Sequence, residues 1–190
     1  FLTWDHPMVT GALDLLLGRP AGGTASASWE NAPRPGIWLE TVHLLELLAP
    51  AALHADRFLP PTPVRVVVDR DLGELPPDIV ALLDRARLCD TPVHDWLDLA
   101  GVRGWVESVI AASTDVARRR AEPLVQQALA GMERALGHEL ERLRALAAVN
   151  PNVRPEEVQA LGGQRDALRR HLAESRGRLD SVRLIGSPRA

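Results

Sequence analysis

The sequence predicts an α+β fold. It has a small, mostly antiparallel sheet with a packed N-terminal helix, a long antiparallel helical hairpin like a coiled-coil arm, and a C-terminal strand that returns to the sheet. Three observations carry this expectation. Val64-Arg65-Val66-Val67-Val68 is rich in β-branched residues and follows Pro63, the composition of a strand with proline at its edge. From about Val102, apolar residues recur at helical spacing for almost fifty residues. Asn150-Pro151-Asn152 then stops that helix, and a second helical stripe follows it, so the two fold back as a hairpin.

The elements can be justified in chain order. His6 to about Leu17 reads as a helix with Val9, Leu13, Leu16 and Leu17 on one side and Gly18 as its stop. Asp5 suits the N-cap, Pro7 costs little in the first turn, and Trp4 packs on Val9 as a hydrophobic staple. A metal or proton-transfer pair of Asp5 and His6 is the weaker reading. Gly22-Gly23 releases the chain into Thr24 to Glu30, whose small residues suit an edge strand, and Asn31 to Gly36 reads as a hairpin loop. Ile37 to Leu48 is ambiguous, and period alone leans to helix, since Trp38, Val42, Leu45 and Leu48 fit a helical stripe while Ile37, Leu39, Thr41, His43, Leu45 and Leu47 fit alternation less cleanly. Arg57 to Pro63 is an extended connector, because residues before proline avoid the helical region.

After the Val64 to Val68 strand, Asp69 to Gly73 turns the chain. Pro77 opens a helix whose apolar face is Ile79, Leu82, Leu83 and Ala86, and Thr91-Pro92 caps another carrying Val93, Trp96, Leu97 and Ala100. In the long helix, Trp105, Val109, Ala112 and Val116 make one stripe. Val125, Leu129, Met132, Leu136, Leu140, Leu143 and Ala147 continue it. Pro123 is expected to kink or divide that helix, because proline lacks the amide hydrogen and crowds the previous turn. Pro155, Glu156 and Glu157 open the return helix, with Val158, Leu161, Leu168 and Leu172 as its seam. Gly162-Gly163 implies either close helix contact or local fraying. Leu179 to Ile185 reads as the last strand.

The side-chain inventory excludes most catalytic chemistry. All 22 positive side chains are arginine, and no lysine occurs. A P-loop needs a lysine to reach the terminal phosphates while glycine amides cradle the rest, and no such segment can be written here. His138-Glu139-Leu140-Glu141-Arg142 begins like a zinc-protease helix but places arginine where the second ligand would stand. Cys89 is the single cysteine, which rules out a disulfide framework and reads as a small buried hydrophobe. The formal net charge is -3 and the pI is near 6.1, which argues against a generic polyanion-binding module. Two local clusters remain as candidate partner contacts: Arg118, Arg119 and Arg120, and Arg165, Arg169 and Arg170. The plainer reading is a solvated face balanced by Asp115, Glu122 and Asp166 at helical spacing. There is no apolar run of about 18 residues to span a bilayer, and no secretory signal, so a cytoplasmic location is expected.

Phe1-Leu2-Thr3-Trp4-Asp5-His6-Pro7-Met8-Val9, Arg57-Phe58-Leu59-Pro60-Pro61-Thr62-Pro63-Val64-Arg65, Ala148-Val149-Asn150-Pro151-Asn152-Val153-Arg154 and Arg178-Leu179-Asp180-Ser181-Val182-Arg183-Leu184-Ile185 occur in this order. In this respect the chain resembles the C-terminal domain of the RapA (HepA) family of bacterial RNA polymerase-associated Swi2/Snf2-type ATPases. The likeness is weakest between about Leu72 and Gly104. It implies a strand over Ile37 to Leu48, and it implies a fragment, because the family's motor lies upstream; the absence of an initiator methionine agrees. ATP and magnesium then belong to that upstream motor, and no cofactor, catalytic residue or metal site is expected in this part. The implied partners are the motor domains and, through the parent, core RNA polymerase. The organisation expected is a base over residues 1–101, a helical arm over 102–176 and a returning strand over 177–190. Two rival functions are a self-associating helical scaffold and an arginine-based arm that touches DNA or RNA, the second predicting steep loss of affinity with salt.

The chain alone is expected neither to bind nor to hydrolyse ATP. Nucleotide turnover by the pure chain, with contaminating ATPases controlled for, would contradict this.

Overall fold

A computed structural model describes residues 23–92 and 101–187. The expected N-terminal helix with its Asp5 cap, and the helix body following Thr91-Pro92, lie outside the described residues.

Five strands form one sheet: β1 (Thr24–Trp29), β2 (Ile37–Glu46), β3 (Thr62–Asp69), β4 (Leu88–Asp90) and β5 (Arg176–Gly186), in the order β3-β2-β5-β1-β4. The helices are α1 (Pro77–Asp84), α2 (Val102–Val149) and α3 (Pro155–Ala173). The class is therefore α+β, as the sequence predicts, and the Ile37 segment is a strand. Glu40 meets Arg65 and Arg34 meets Asp69, so β2 and β3 run antiparallel. Glu40 meets Arg183 and Gly36 meets Ser187, so β2 and β5 do too. β1 pairs antiparallel with β4 and parallel with β5, with Thr24 opposite Val182 and Ser28 opposite Gly186.

That parallel pair corrects one expectation. Thr24 to Trp29 is neither an edge strand nor one arm of a hairpin with β2, because β5 lies between them. The reason is geometric: at Gly23 an added Cβ would stand 2.5 Å from the Asp180 carbonyl oxygen, so glycine lets the two backbones approach where the pairing starts. The outer neighbour of β1 is the short β4, in a stretch where the sequence suggested only a break between helices.

The chain divides into two compact units. Among the described residues, the first comprises 23–42, 65–92, 101–113 and 179–187, and the second 43–64 and 114–178. In the first unit, alternation puts Trp38 and Glu40 of β2, Arg65 and Val67 of β3, and Arg183 and Ile185 of β5 on one face. Trp29, Trp38, Val67, Leu75, Leu83 and Ile185 form its core, and the rings of Trp29 and Trp38 lie 5.3 Å apart and tilted by 56°. This tilted contact is a favoured arrangement of aromatic quadrupoles. On α1, Leu83 is buried while Leu82 is exposed and Val80 packs in its place, one position off the expected stripe. The turn after β3 is an Asx turn in which Asp69 Oδ1 accepts the amides of Asp71 and Gly73, at 3.1 and 3.0 Å.

In the second unit, Leu45, Ala55, Leu59, Ala121, Ala128, Met132, Leu136, Leu168 and Leu172 form a core. Met132, Leu168 and Leu172 are completely buried. The small residues Ala121 and Ala128 carry much of the α2 side of this core, where the sequence stripe gave weight to Val125 and Leu129. Leu143 is only half-buried, so the seam fades toward the tip. The tip is a tight turn in which Asn150 Oδ1 accepts the Asn152 amide at 3.0 Å. Pro123 does not divide α2, which is one continuous helical segment from Val102 to Val149. Neither Gly162 nor Gly163 is required for close helix contact, since a Cβ added at either meets nothing within 4 Å.

Two substitutions in α3 are expected to move stability in opposite directions. Gly162→Ala should stabilise by about 0.5–1 kcal/mol, because alanine loses less backbone freedom in a helix and has room here. Leu168→Asp should unfold the second unit, because it places an unpaired charge in a dry core. Urea melts of both variants against the parent sequence check this.

Candidate functional site

Arg118, Arg119 and Arg120 are consecutive on α2. Successive helical residues turn by about 100°, so the three cannot share one face. Arg118 is exposed and donates to Asp115 Oδ1 at 2.9 Å, one helical turn back. Arg118 and Arg119 both reach the wall of a cavity of about 620 Å³ in the second unit, while Arg120 points elsewhere on an exposed part of the helix. Aliphatic side chains of Leu45, Ala117, Ala121, Val125 and Ala173 line the cavity, together with His43, Gln126, Glu122 and Arg176.

His43 is the unusual member. It lies on the same face of β2 as Thr41 and Leu45, and only 1% of it is exposed. Neither Nδ1 nor Nε2 has a hydrogen-bond partner among the described residues. Burial pushes its pKa below the ordinary 6.5, because the charged imidazolium is poorly solvated there. The imidazole is thus largely neutral near pH 7 and carries one donor and one acceptor nitrogen.

The second cluster lies farther along the arm. Arg169 of α3 donates through Nε to Glu133 Oε1 of α2 at 2.7 Å, and Arg165 donates to its neighbour Asp166 at 2.8 Å. The hydrogen bond to Asp166 and its charge raise the Arg165 pKa, and the same bond holds the Asp166 carboxyl below the usual range. Arg170 is exposed. Arg119 precedes Glu133 by 14 helical residues, about 21 Å at 1.5 Å per residue, so the two clusters do not converge on one surface. Among these arginines, Arg118, Arg165 and Arg169 are engaged by carboxylates, and Arg120 is not without a partner either.

Other candidates lose their chemistry in place. Glu139 is taken up by Arg142, with contacts of 3.1 and 2.6 Å, which lowers its pKa. Cys89 stands half-buried on β4 rather than deep in a core, and partial burial and the Glu30 carboxylate raise its thiol pKa. This is the opposite of what an activated nucleophile needs. Among the described residues no group of three or more His, Cys, Asp or Glu side chains converges to hold a metal ion. No described helix is long and apolar enough to cross a membrane.

Sequence reading passed over His43 and Arg176. The signal was a lone imidazole in Thr41-Val42-His43-Leu44-Leu45, which becomes informative only once that segment is known to be a strand with His43 on its buried side.

Residues 1–186 match the family model described as RNA polymerase recycling family C-terminal. The chain is 36% identical over 188 residues to the RNA polymerase-associated protein RapA of Proteus mirabilis. It is 34% identical over 190 residues to that of Vibrio campbellii, and 34% identical over 188 residues to that of Erwinia tasmaniensis. Each match covers 97% of this chain and 19% of the relative, so the chain spans about a fifth of the length of the curated relatives it matches.

The depressed His43 pKa fixes a direction of pH dependence. Well above pH 6.5 the imidazole is neutral in both folded and unfolded chains and adds no slope. Below 6.5 the unfolded chain takes up a proton that the folded chain refuses, so stability falls as pH drops toward the folded pKa, by at most about 1.4 kcal/mol per pH unit for one proton. Urea melts at pH 7.5 and 5.5 should show a smaller loss for His43→Leu than for the parent sequence.

Proposed function

The chain belongs to the RapA C-terminal domain family, matched over residues 1–186, and on that premise we propose that it is the non-catalytic C-terminal domain of a RapA-like, ATP-dependent RNA polymerase recycling factor. In this reading it contacts protein and supports the motor, while ATP and magnesium are handled by the parent's upstream domains. Its partners are that motor and, through the parent, core RNA polymerase in the bacterial cytoplasm. The observation that carries the reading is the breadth of the match: nearly the whole chain aligns with the relatives, yet it accounts for only 19% of their length. The chemistry is compatible with a contact role. The chain has no lysine for a phosphate-binding loop, and its arm exposes charged side chains on both helices.

Neither rival reading has comparable support. The exposed apolar residues toward the arm's tip, Leu146 and Val149, are neighbours one helical turn apart, a patch of two side chains that is too little for a self-association seam. The net charge of -3 and the carboxylate-engaged arginines weigh against a nucleic-acid arm.

The absence of lysine provides a clean test. A carbodiimide joins carboxylates to amines, and this domain supplies Asp and Glu but no lysine. With the full-length parent bound to core RNA polymerase, the expected adducts join Asp or Glu of this domain to lysines of the motor or the polymerase. Adducts to neither would overturn the reading, and binding to nucleic acid that collapses with salt would favour the nucleic-acid arm instead.

A further inference from the structure

We propose that the cavity beside His43 is a binding site for an aliphatic carboxylate, a molecule or side chain with an acidic group at one end and a second hydrogen-bonding group beyond a short apolar body. The inference goes beyond the family reading and does not depend on it.

The argument begins with His43. A buried imidazole with both nitrogens unsatisfied is costly, because desolvated polar groups normally find partners. Here both nitrogens belong to a side chain that lines a cavity of about 620 Å³, within the range of small-molecule sites. A carboxylate or amide oxygen placed beside it would accept from the imidazole N–H and so satisfy one of the two nitrogens.

The charges around the cavity set the sign of the ligand. Arg118, Arg119 and Arg176 face Glu122, an excess of two positive charges. Arg118 is held by Asp115, whereas Arg119 and Arg176 have no hydrogen-bond or ion-pair partner among the described residues. Planar guanidiniums suit carboxylates, which they can grip with two parallel hydrogen bonds.

The walls set the body of the ligand. Leu45, Ala117, Ala121, Val125 and Ala173 are aliphatic, and no Phe, Tyr or Trp ring lines the cavity, so a nucleobase would lack a broad stacking platform. A short methylene chain would fit, with its acid on Arg119 and Arg176 and its far end on His43. Such a ligand could be a free dicarboxylate or a glutamate side chain of a polypeptide, and the same chemistry recognises both.

The test uses the full 190-residue chain, glutarate as the free acid, glutaramide as its uncharged counterpart, inorganic phosphate, and the peptide acetyl-Ala-Glu-Ala-Glu-Ala-amide. Imidazole resonances of His43 are followed by NMR during each titration. Saturable glutarate binding that shifts the His43 signals is expected, with little response to glutaramide or phosphate. If the peptide binds more tightly than glutarate, the source is a polypeptide; if glutarate binds more tightly, it is a free acid.

Both Arg119 and Arg176 are exposed, so Arg119→Ala with Arg176→Ala should weaken glutarate binding about tenfold or more while leaving the melting curve unchanged. His43→Leu should remove binding while the chain stays folded, since leucine needs no hydrogen bond. The proposal is overturned by any of three results. These are no saturable binding of glutarate or the peptide, phosphate binding as tightly as glutarate, or affinity that the double arginine variant leaves unchanged.

Discussion

The first unit is organised around a buried carboxylate. Glu40, on the interior strand β2 and 7% exposed, accepts hydrogen bonds from Arg65 of β3 on one side and Arg183 of β5 on the other. Arg65 reaches on to Asp84, at the end of α1. One charge network thus joins three adjacent strands and the helix over them. A carboxylate taken out of water is costly by itself, and two guanidiniums at hydrogen-bond range offset that cost. Burial disfavours the charge on Arg65, but the bonds and charges of Asp84 and Glu40 outweigh it and raise its pKa. Hydrophobic contact alone tolerates sliding between strands, whereas this network accepts one register, since a slip by one residue would turn Glu40 to the opposite face.

The rest of that face follows from the same alternation. With Glu40 fixed toward α1, Trp38 must point the same way, where it meets Trp29, Val67 and Leu83. The placement of β5 between β2 and β1 is the other half of the constraint, because it supplies Arg183 to the network. Long-range pairing of this kind joins residues 143 positions apart in sequence. Such closure is entropically expensive and is sustained by the buried strand that makes it.

The second unit is built differently. Its arm relies on complete burial of a few large residues, Met132, Leu168 and Leu172, against alanines that let the helices approach. Charged contacts along it, such as Arg142 with Glu139 and Arg154 with Glu157, lie at the surface, where ion pairs contribute little. The unit tolerates one polar group in its interior, His43. That imidazole weakens the folded state unless something binds beside it, a pattern typical of sites kept for recognition.

Much of this was legible from residues alone. The absence of lysine excludes a phosphate-binding loop whatever the fold, because no arrangement of the chain can supply a missing side chain. The helix period after Val102, the Asn150-Pro151-Asn152 turn and the Val64 to Val68 strand are local, and local sterics and spacing determine them. Pairing is not local. The insertion of β5 beside β1, the short β4, the burial of Leu83 over Leu82, and the engagement of Glu40 by two arginines depend on residues distant in sequence, which one-dimensional spacing does not encode. The arginine clusters illustrate the boundary: their sequence shows charge density, but only the folded chain shows that Arg169 is spent on Glu133 while Arg119 opens onto a cavity with His43. Side-chain chemistry is a property of each residue, and so the sequence alone decides what this chain cannot do. Burial and partnership arise only when distant segments meet, and so the tertiary structure alone decides where its remaining polar groups are left to bind.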